Sequence, residues 1–86
     1  MKNKVLIKIV VPELDTEFDL FIPVNEIVWK IKKLLIGSIS DLTNIQLDFN
    51  KEYILMNKDN SRVYKNNEIV IDTDIRNSTE LLIFSK

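Results

Sequence analysis

The stretch that decides the fold is residues 24–37, VNEIVWKIKKLLIG. Its apolar residues recur every three or four positions, which predicts a helix with one face turned toward a core. Asn25 is a residue type that caps a helix start, and Gly37, the only glycine in the chain, is the type that ends one. We therefore predict a helix over residues 25–36. Its core-facing stripe is predicted to consist of Val24, Ile27, Val28, Ile31, Leu34 and Leu35.

Two strands are predicted before this helix. Apolar residues alternate with other residues over 5–11 and again over 17–22, which is the period of a strand with one buried face. Pro12 and Pro23 close the two runs, because proline lacks the amide donor that a sheet needs. The short link between the runs predicts an antiparallel hairpin. The predicted inward residues are Val5, Ile7, Ile9, Val11, Phe18, Leu20 and Ile22.

Three more strands are predicted after the helix, at residues 53–56, 62–64 and 81–84. The order is therefore β-β-α-β-β-β, which predicts an α+β fold of the β-grasp type, with a mixed sheet of four to five strands packed on one helix. A right-handed crossover would place the last strand parallel to the first, in the middle of the sheet. The predicted anchors of the irregular segments on the core are Ile45, Leu47, Phe49, Ile69 and Ile75.

Composition limits the chemistry that this chain can perform. The sequence contains no histidine and no cysteine, which excludes disulfides, Ser-His and Cys-His nucleophiles, and zinc sites built from those ligands. Its 12 basic and 13 acidic residues give a net charge of −1, whereas nucleic-acid binders usually carry a basic excess. We expect no enzymatic activity, no metal or other cofactor, and no nucleic-acid partner.

Length and hydropathy predict one folded domain over residues 1–86. A chain of 86 residues, 45% hydrophobic and 29% charged, is large enough to bury a core without a metal or disulfide. The apolar run at 5–11 is short and contains Lys8, unlike a secretory signal, and no run is long enough for a membrane-spanning helix. We expect a cytoplasmic protein that does not insert into membranes.

Two polar patterns imitate sites of other kinds. Residues 57–68, NKDNSRVYKNNE, place oxygen-bearing side chains where a calcium loop has its ligands, but Arg62 occupies the position where that loop requires glycine. Asp72 and Asp74 are a possible carboxylate pair in a polar loop, without histidine or metal ligands nearby. We interpret both patterns as turns.

The outer side of the helix is one candidate interaction surface. Trp29 and Ile36 are predicted to project together away from the core stripe, among lysines that we interpret as a solvated face. Tryptophan is enriched at the residues that dominate protein interfaces. The candidate residues are Trp29, Lys33 and Ile36. The alternative, that residues 38–50 fold back over Trp29 and cover it, stays open.

The last strand contributes a second and preferred candidate. If Leu81 and Ile83 face the core, Leu82 and Phe84 face outward, and an apolar surface rimmed by polar residues is typical of a partner site. A register shifted by one residue would instead bury Leu82 and Phe84. The preferred surface consists of Leu6, Lys8, Leu82 and Phe84, with Lys4 at the rim.

Two stretches in the second half of the chain resemble a known family. They are YILMNKD at 53–59 and DTDIRNSTELLI at 72–83. They resemble the C-terminal half of ubiquitin-like proteins and are more similar to the bacterial YukD/EsaB-like family than to eukaryotic ubiquitin. The resemblance follows the element order over nearly the whole chain and implies a ubiquitin-like fold. It also implies that partners bind the outer face of the sheet.

The same resemblance implies a function. YukD/EsaB-like proteins are non-enzymatic cytoplasmic accessories of bacterial type VII, or ESX-like, secretion systems, and related systems carry a similar domain fused to a membrane component. The chain is accordingly expected to bind a cytoplasmic protein, such as a component of that machinery, and to accompany or regulate secretion.

Two other kinds of function are alternatives to this one. Ubiquitin-like modifiers and sulfur carriers use a flexible tail that ends in Gly-Gly, whereas this sequence ends in Phe84-Ser85-Lys86 and has its only glycine at position 37. We therefore expect neither conjugation nor sulfur transfer. A structural component that self-associates through the sheet edge or face is the remaining alternative, and the sequence leaves the oligomeric state open.

Overall fold

The computed structural model describes residues 3–86. A mixed sheet contains the strands β1 (Lys4–Val11), β2 (Thr16–Pro23), β3 (Tyr53–Asn57) and β4 (Glu80–Ser85), in the order β2-β1-β4-β3. β1 is antiparallel to β2 and parallel to β4, and β3 is antiparallel to β4. The last strand therefore lies in the middle of the sheet, parallel to the first, as predicted.

The β1–β2 hairpin closes through a short 3-10 turn, Pro12–Leu14. Asp15 follows the turn in the left-handed conformation, with φ of 50°, and its amide donates to the carbonyl of Pro12 at 3.1 Å. Aspartate tolerates this conformation better than most residues with a side chain. The predicted antiparallel hairpin is confirmed.

The strands alternate between the two faces of the sheet as the sequence predicts. Ile7, Ile9 and Val11 of β1 are buried on the inner face, as is Ile22 of β2. Val5, Phe18 and Leu20 are half-buried and pack against this core. On β4, Leu81 and Ile83 are fully buried, which confirms the predicted register of the last strand and excludes the shifted one.

The single long helix of the described residues, α1 (Val28–Thr43), packs on the inner face. It starts at Val28, so the prediction that Asn25 caps it was wrong. The amides of Val28 and Trp29 donate instead to the carbonyls of Glu68 and Asn66, at 2.8 and 3.2 Å. A distant loop thus satisfies donors that a side-chain cap would otherwise satisfy.

Gly37 lies inside α1, so the prediction that it ends the helix was also wrong. Its φ is not positive, and the helix continues to Thr43, where Asn44 adopts the left-handed conformation with φ of 57°. Ile39 is completely buried in the added turns. Burying a side chain of that size contributes about 1.5–3 kcal/mol, more than the roughly 1 kcal/mol that a helical glycine costs.

The extension of α1 rotates its buried stripe. Val24 and Ile27 precede the helix, whereas Ile39 is added to it, so the core-facing side turns toward Ile36. Leu34, predicted to be buried, is exposed, and Ile36, predicted to face outward, is only 3% exposed. Both placements are corrections. The residues of α1 in the core are Val28, Ile31, Leu35, Ile36 and Ile39.

The predicted strand at residues 62–64 is reduced to one bridge, between Met56 and Val63. The described sheet therefore has four strands, the lower of the two predicted numbers. Ile75 is buried as predicted, but Ile69 is exposed and Val70 is buried in its place. A short 3-10 turn, Val70–Asp72, produces this one-residue shift.

The crossover at residues 38–50 is partly helix, because α1 extends to Thr43. Leu47 packs against the core as predicted. Ile45 and Phe49, the other two predicted anchors, remain exposed. The crossover therefore contributes to the core through Ile39 and Leu47 and leaves its other apolar side chains exposed.

Candidate functional site

The outer face of the sheet carries a continuous apolar surface on β1, β4 and β3. The strand register places Leu82 between Val10 and Met56, and places Phe84 beside Ile54. These side chains share a face because paired residues on neighbouring strands project to the same side. The bridge from Met56 adds a sixth apolar side chain. We call this surface the outer patch, and it consists of Val10, Ile54, Met56, Val63, Leu82 and Phe84.

The outer patch is accessible across its width. Five of its members are half-buried, as expected for side chains that lie flat on a sheet, and Val63 is exposed at the edge of the patch. Ionic residues adjoin it, since Val10 pairs with Glu17 on β2 and the Glu17 carboxylate lies 3.8 Å from the Lys8 ammonium. An apolar surface with a polar rim is the usual form of a protein-binding site.

Leu6 and Lys8, predicted as part of this surface, are placed differently from the prediction. Leu6 pairs with Phe21 at the far end of the β1–β2 hairpin, and Lys8 lies between it and the outer patch. Lys8 pairs with Asp19 on one side and Glu80 on the other, so a row of charged residues separates the two apolar areas. Leu82 and Phe84 therefore adjoin Val10, Ile54 and Met56 instead of Leu6.

The second predicted surface forms a groove on the other side of the molecule, between α1 and the start of β3. The groove has a volume of about 220 Å³. Trp29 forms one wall and is 41% exposed. Residues 38–50 thus cover Trp29 only in part: Phe49 lines the same groove and is itself exposed. We call this site the Trp29 groove, and its apolar and aromatic lining is Trp29, Ile36, Phe49 and Tyr53.

The polar lining of the Trp29 groove is mostly basic. The ammonium groups of Lys30 and Lys33 lie 5.9 and 6.0 Å from the centre of the indole ring, within the range of cation–π attraction. Lys32 donates a hydrogen bond of 2.7 Å to the side-chain oxygen of Asn66. Desolvation lowers the pKa of Lys32, and the charge of Glu52 opposes this effect. The polar lining residues are Lys32, Lys33, Lys51, Glu52 and Asn66.

The structure brings Trp29, Lys33 and Ile36 together at this groove, but their roles differ. Ile36 is a core residue whose edge reaches the floor of the groove. Trp29 and Lys33 are the members accessible from solvent. The prediction that Ile36 presents an outward-facing surface was therefore wrong.

The loop that imitates a calcium site is a hydrogen-bonded turn. The side-chain oxygen of Asn57 accepts hydrogen bonds from the amides of Asp59 and Asn60, at 2.9 and 3.4 Å. Ser61 takes a left-handed conformation with φ of 60°. Strand β3 precedes the loop where a calcium motif has a helix. Our interpretation of this segment as a turn agrees with the geometry.

Asp74 contributes to the structure beyond its turn. Its carboxylate accepts hydrogen bonds from the hydroxyl of Tyr64 and the side-chain amide of Asn60, and lies 3.5 Å from the guanidinium of Arg62. The hydrogen bond from Tyr64 is the main cause that lowers the pKa of Asp74, and Asn60 and Arg62 act in the same direction. Among the described residues, the cluster around Asp74 does not include Asp72.

The described residues contain neither a metal-binding cluster nor a membrane-spanning helix. Between residues 3 and 86, no three or more acidic side chains cluster in a way that could hold a metal ion. No helix in that range is long and apolar enough to cross a membrane.

This chain is similar to known proteins in structure but not in sequence. No protein-family model matches this sequence, and no curated protein matches it significantly. Among solved structures, the UBL domain of Plasmodium falciparum Dsk2 is similar over 96% of this chain and 99% of its own, with a TM-score of 0.71 and 12% identity.

The fold is that of ubiquitin-like domains.

The ubiquitin-like fold also occurs inside larger assemblies. A chain of an ESX-5 inner membrane complex is similar over 98% of this chain, with a TM-score of 0.70 and 13% identity. The present chain spans about a fifth, 21%, of that chain. A chain of a toluene 4 monooxygenase HD complex has a TM-score of 0.79 at 1% identity, over 96% of this chain and 99% of its own. At such identities the likeness establishes the ubiquitin-like fold alone.

The sequence contained signals for part of the outer patch that the prediction did not use. Val10 belongs to the outward set of β1 by simple alternation, and Ile54 and Met56 would follow once Leu55 was assigned to the core. Val63 gave no such signal, because its place beside Met56 depends on the path of the loop.

Proposed function

We propose that this chain is a non-enzymatic, ubiquitin-like protein-interaction module that acts as a cytoplasmic accessory or regulator of a bacterial type VII, or ESX-like, secretion system. Its mechanism is docking: the outer patch is buried against a cytoplasmic domain of a protein of the secretion machinery. The observation that carries the proposal is the register of β4, which aligns Leu82 with apolar residues on both adjacent strands and Phe84 with Ile54 on β3.

The chemistry of the outer patch supports binding over catalysis. Its members are apolar, they form a shallow surface on a rigid sheet, and they include no group that could act as a nucleophile or acid–base catalyst. Desolvation of apolar area on contact with a partner would provide the affinity.

Two observations favour secretion as the setting. The stretches at 53–59 and 72–83 resemble the YukD/EsaB-like family, and a chain of an ESX-5 inner membrane complex contains a region of similar fold. This chain matches 21% of the ESX-5 chain, so the likeness concerns that region alone.

Affinity capture tests this function. The protein is immobilised, incubated with lysate of the source bacterium, and the bound proteins are identified by mass spectrometry. We expect a type VII secretion component among them, and we expect Leu82→Asp and Phe84→Asp each to abolish its capture. The change places a charge where the partner must desolvate the patch.

A matched control separates binding from folding. Ile71→Asp makes the same kind of change at an exposed apolar residue in the 3-10 turn Val70–Asp72, away from the outer patch, and should leave capture intact. Circular dichroism and melting curves should stay nearly unchanged in all three variants. Loss of capture in the Ile71→Asp variant, or unfolding in either β4 variant, would contradict the assignment of the surface.

The two rival functions give different results in the same preparation. Mass spectrometry of the cell lysate would detect a covalent adduct or a thiocarboxylate at Lys86 if the protein were a modifier or a sulfur carrier. A sedimentation mass that rises with protein concentration, and falls again with Leu82→Asp, would favour self-association through the outer patch.

A further inference from the structure

The Trp29 groove lies on the opposite side of the sheet from the outer patch. Trp29 belongs to α1, which covers the inner face, and Tyr53 also points to that side of β3. A partner on the outer patch would leave the groove free. The groove is therefore a second site, and its chemistry can be argued independently of the proposed function.

The groove combines an aromatic surface with an excess of positive charge. Its lining contains three lysines and one glutamate, and a fourth lysine, Lys30, lies beside the indole and 4.0 Å from the Glu26 carboxylate. The protein as a whole carries a net charge of −1, so the charge of the groove is opposite in sign to the net charge of the protein. The Glu52 carboxylate lies 3.6 Å from the Lys86 ammonium, which partly neutralises the acidic residue of the lining.

The lysines around Trp29 are arranged to receive an anion. Lys32 is held by Asn66, and the ammonium groups of Lys30 and Lys33 lie close to the indole. The side chains are thus partly ordered before a ligand arrives, which lowers the entropy cost of binding. Desolvation lowers the pKa of Lys32 and the charge of Glu52 opposes this effect, and a ligand carboxylate would act in the same direction as Glu52.

The size and composition of the groove indicate which kind of anion it takes. A volume of about 220 Å³ lined by aromatic rings accommodates one apolar side chain, with the lysines around it. A polyanion such as nucleic acid or a membrane surface would instead require an extended basic face, and the acidic balance of the chain disfavours both.

We propose that the Trp29 groove binds an acidic peptide segment of a partner protein, with one apolar side chain stacked on Trp29 and flanking carboxylates paired with Lys33 and Lys51. This proposal goes beyond docking through the outer patch and does not depend on it.

The fluorescence of Trp29 provides a direct assay, because it is the only tryptophan in the protein. The probe is a capped synthetic peptide in which one leucine is flanked by glutamates on both sides. We expect saturable changes in the emission of Trp29, weakened by added salt since the paired charges are exposed. A peptide with lysines in place of the glutamates, and inorganic phosphate, should produce no saturable change.

Charge reversal locates the site. Lys33→Glu and Lys51→Glu should each weaken binding of the acidic peptide by about fivefold, the upper range for one exposed ion pair. Lys58→Glu makes the same change in net charge beyond the other end of β3, and should leave the affinity unchanged. Circular dichroism checks that all three variants stay folded.

Three outcomes would overturn the proposal. The first is no emission change at millimolar acidic peptide, and the second is equal weakening by Lys58→Glu, which would indicate a general effect of charge. The third is a change in Trp29 emission without the peptide, caused either by self-association of the protein or by added anionic vesicles. A failed capture experiment on the outer patch would leave this result unaffected, so the two proposals can fail separately.

Discussion

The hydroxyl of Tyr64 donates a hydrogen bond to the carboxylate of Asp74, ten residues further along the chain. The ring of Tyr64 is 1% exposed, and its hydroxyl also accepts a hydrogen bond of 3.2 Å from the buried side chain of Asn57. The guanidinium of Arg62 lies 5.1 Å from the centre of the ring and forms ion pairs with Asp74 and Glu68. This cluster connects the end of β3 to the two loops that precede β4.

Replacing Tyr64 with phenylalanine should destabilise the domain by about 1–3 kcal/mol, because Asn57 would lose a partner while it remains buried. Urea unfolding monitored by circular dichroism would measure the change in free energy. Tyr53→Phe is the matched control, since its hydroxyl donates to the carbonyl of Asp48 at an exposed position where water can substitute. Equal losses in both variants would show that the cluster around Tyr64 adds no stability.

Acidification should destabilise the protein through three carboxylates. Hydrogen bonds and positive charges lower the pKa of Asp74 from its ordinary value of 3.8, and the pKa values of Glu68 and Glu13 from 4.5. A lowered pKa in the folded state contributes stability that is present above the ordinary value and is lost as pH falls through the folded value. We expect Tm to be nearly constant from neutral pH to about pH 5 and to fall below it.

Burial, followed by the hydrogen bond to Asp74, raises the pKa of Tyr64 to about 12, so Tyr64 remains a donor throughout this pH range. The Asp74→Asn variant should be less stable at neutral pH and should show a smaller fall in Tm on acidification. Asp59→Asn, at an exposed loop position, is the control and should retain the wild-type profile. An unchanged profile in Asp74→Asn would mean that other groups dominate the acid response.

Gly37→Ala should stabilise the protein. Gly37 lies inside α1 without a positive φ, and an added Cβ would lie 3.9 Å from the nearest atom of Phe49, which is ordinary van der Waals contact. Alanine is favoured over glycine in a helix by about 0.5–1 kcal/mol, which should raise Tm by roughly 2–8 °C in a domain of this size. Thermal melts would measure this. A decrease would instead indicate the helix terminator that the sequence predicted.

Ile36→Ala and Trp29→Ala should separate core from surface on the same helix. Ile36 is buried, so its truncation should cost about 2–5 kcal/mol. Trp29 is 41% exposed, so its truncation removes less buried area, and we expect a smaller cost of roughly 1–2 kcal/mol. Urea denaturation would compare them. The opposite ranking would place Trp29 in the core and remove the basis for a ligand site beside it.

Errors in the sequence-based prediction share one origin, which is contact between segments distant along the chain. Asn25 was predicted to cap α1 because local sequence favours it, yet the carbonyls of Asn66 and Glu68 satisfy the first amides. Gly37 was predicted to end α1 by the same local rule, and burial of Ile39 overrides it. Because both ends of α1 were predicted too early in the sequence, the prediction assigned Ile36 to the outer side of the helix.

The outer patch was predicted only in part, again because contacts between distant segments are not encoded locally. Alternation along β4 correctly assigned Leu82 and Phe84 to the outer face, since the period of a strand is a local property. Which residues adjoin them depends on the offset between β1 and β4, which are far apart in sequence. That offset aligns Leu82 with Val10 and leaves Leu6 beside Phe21.

Local sequence is enough to predict the hairpin, the helix, the two later strands of the sheet, the two faces of these strands and the central position of β4, because periodicity, proline positions and crossover handedness are encoded locally. The element order was predicted with one strand too many, since residues 62–64 form only one bridge. Only the tertiary structure decided the ends of α1, the membership of the outer patch and the shape of the Trp29 groove. Each of these depends on side chains and carbonyls that the chain brings together from separate segments, and their energies are comparable to the local preferences that they override.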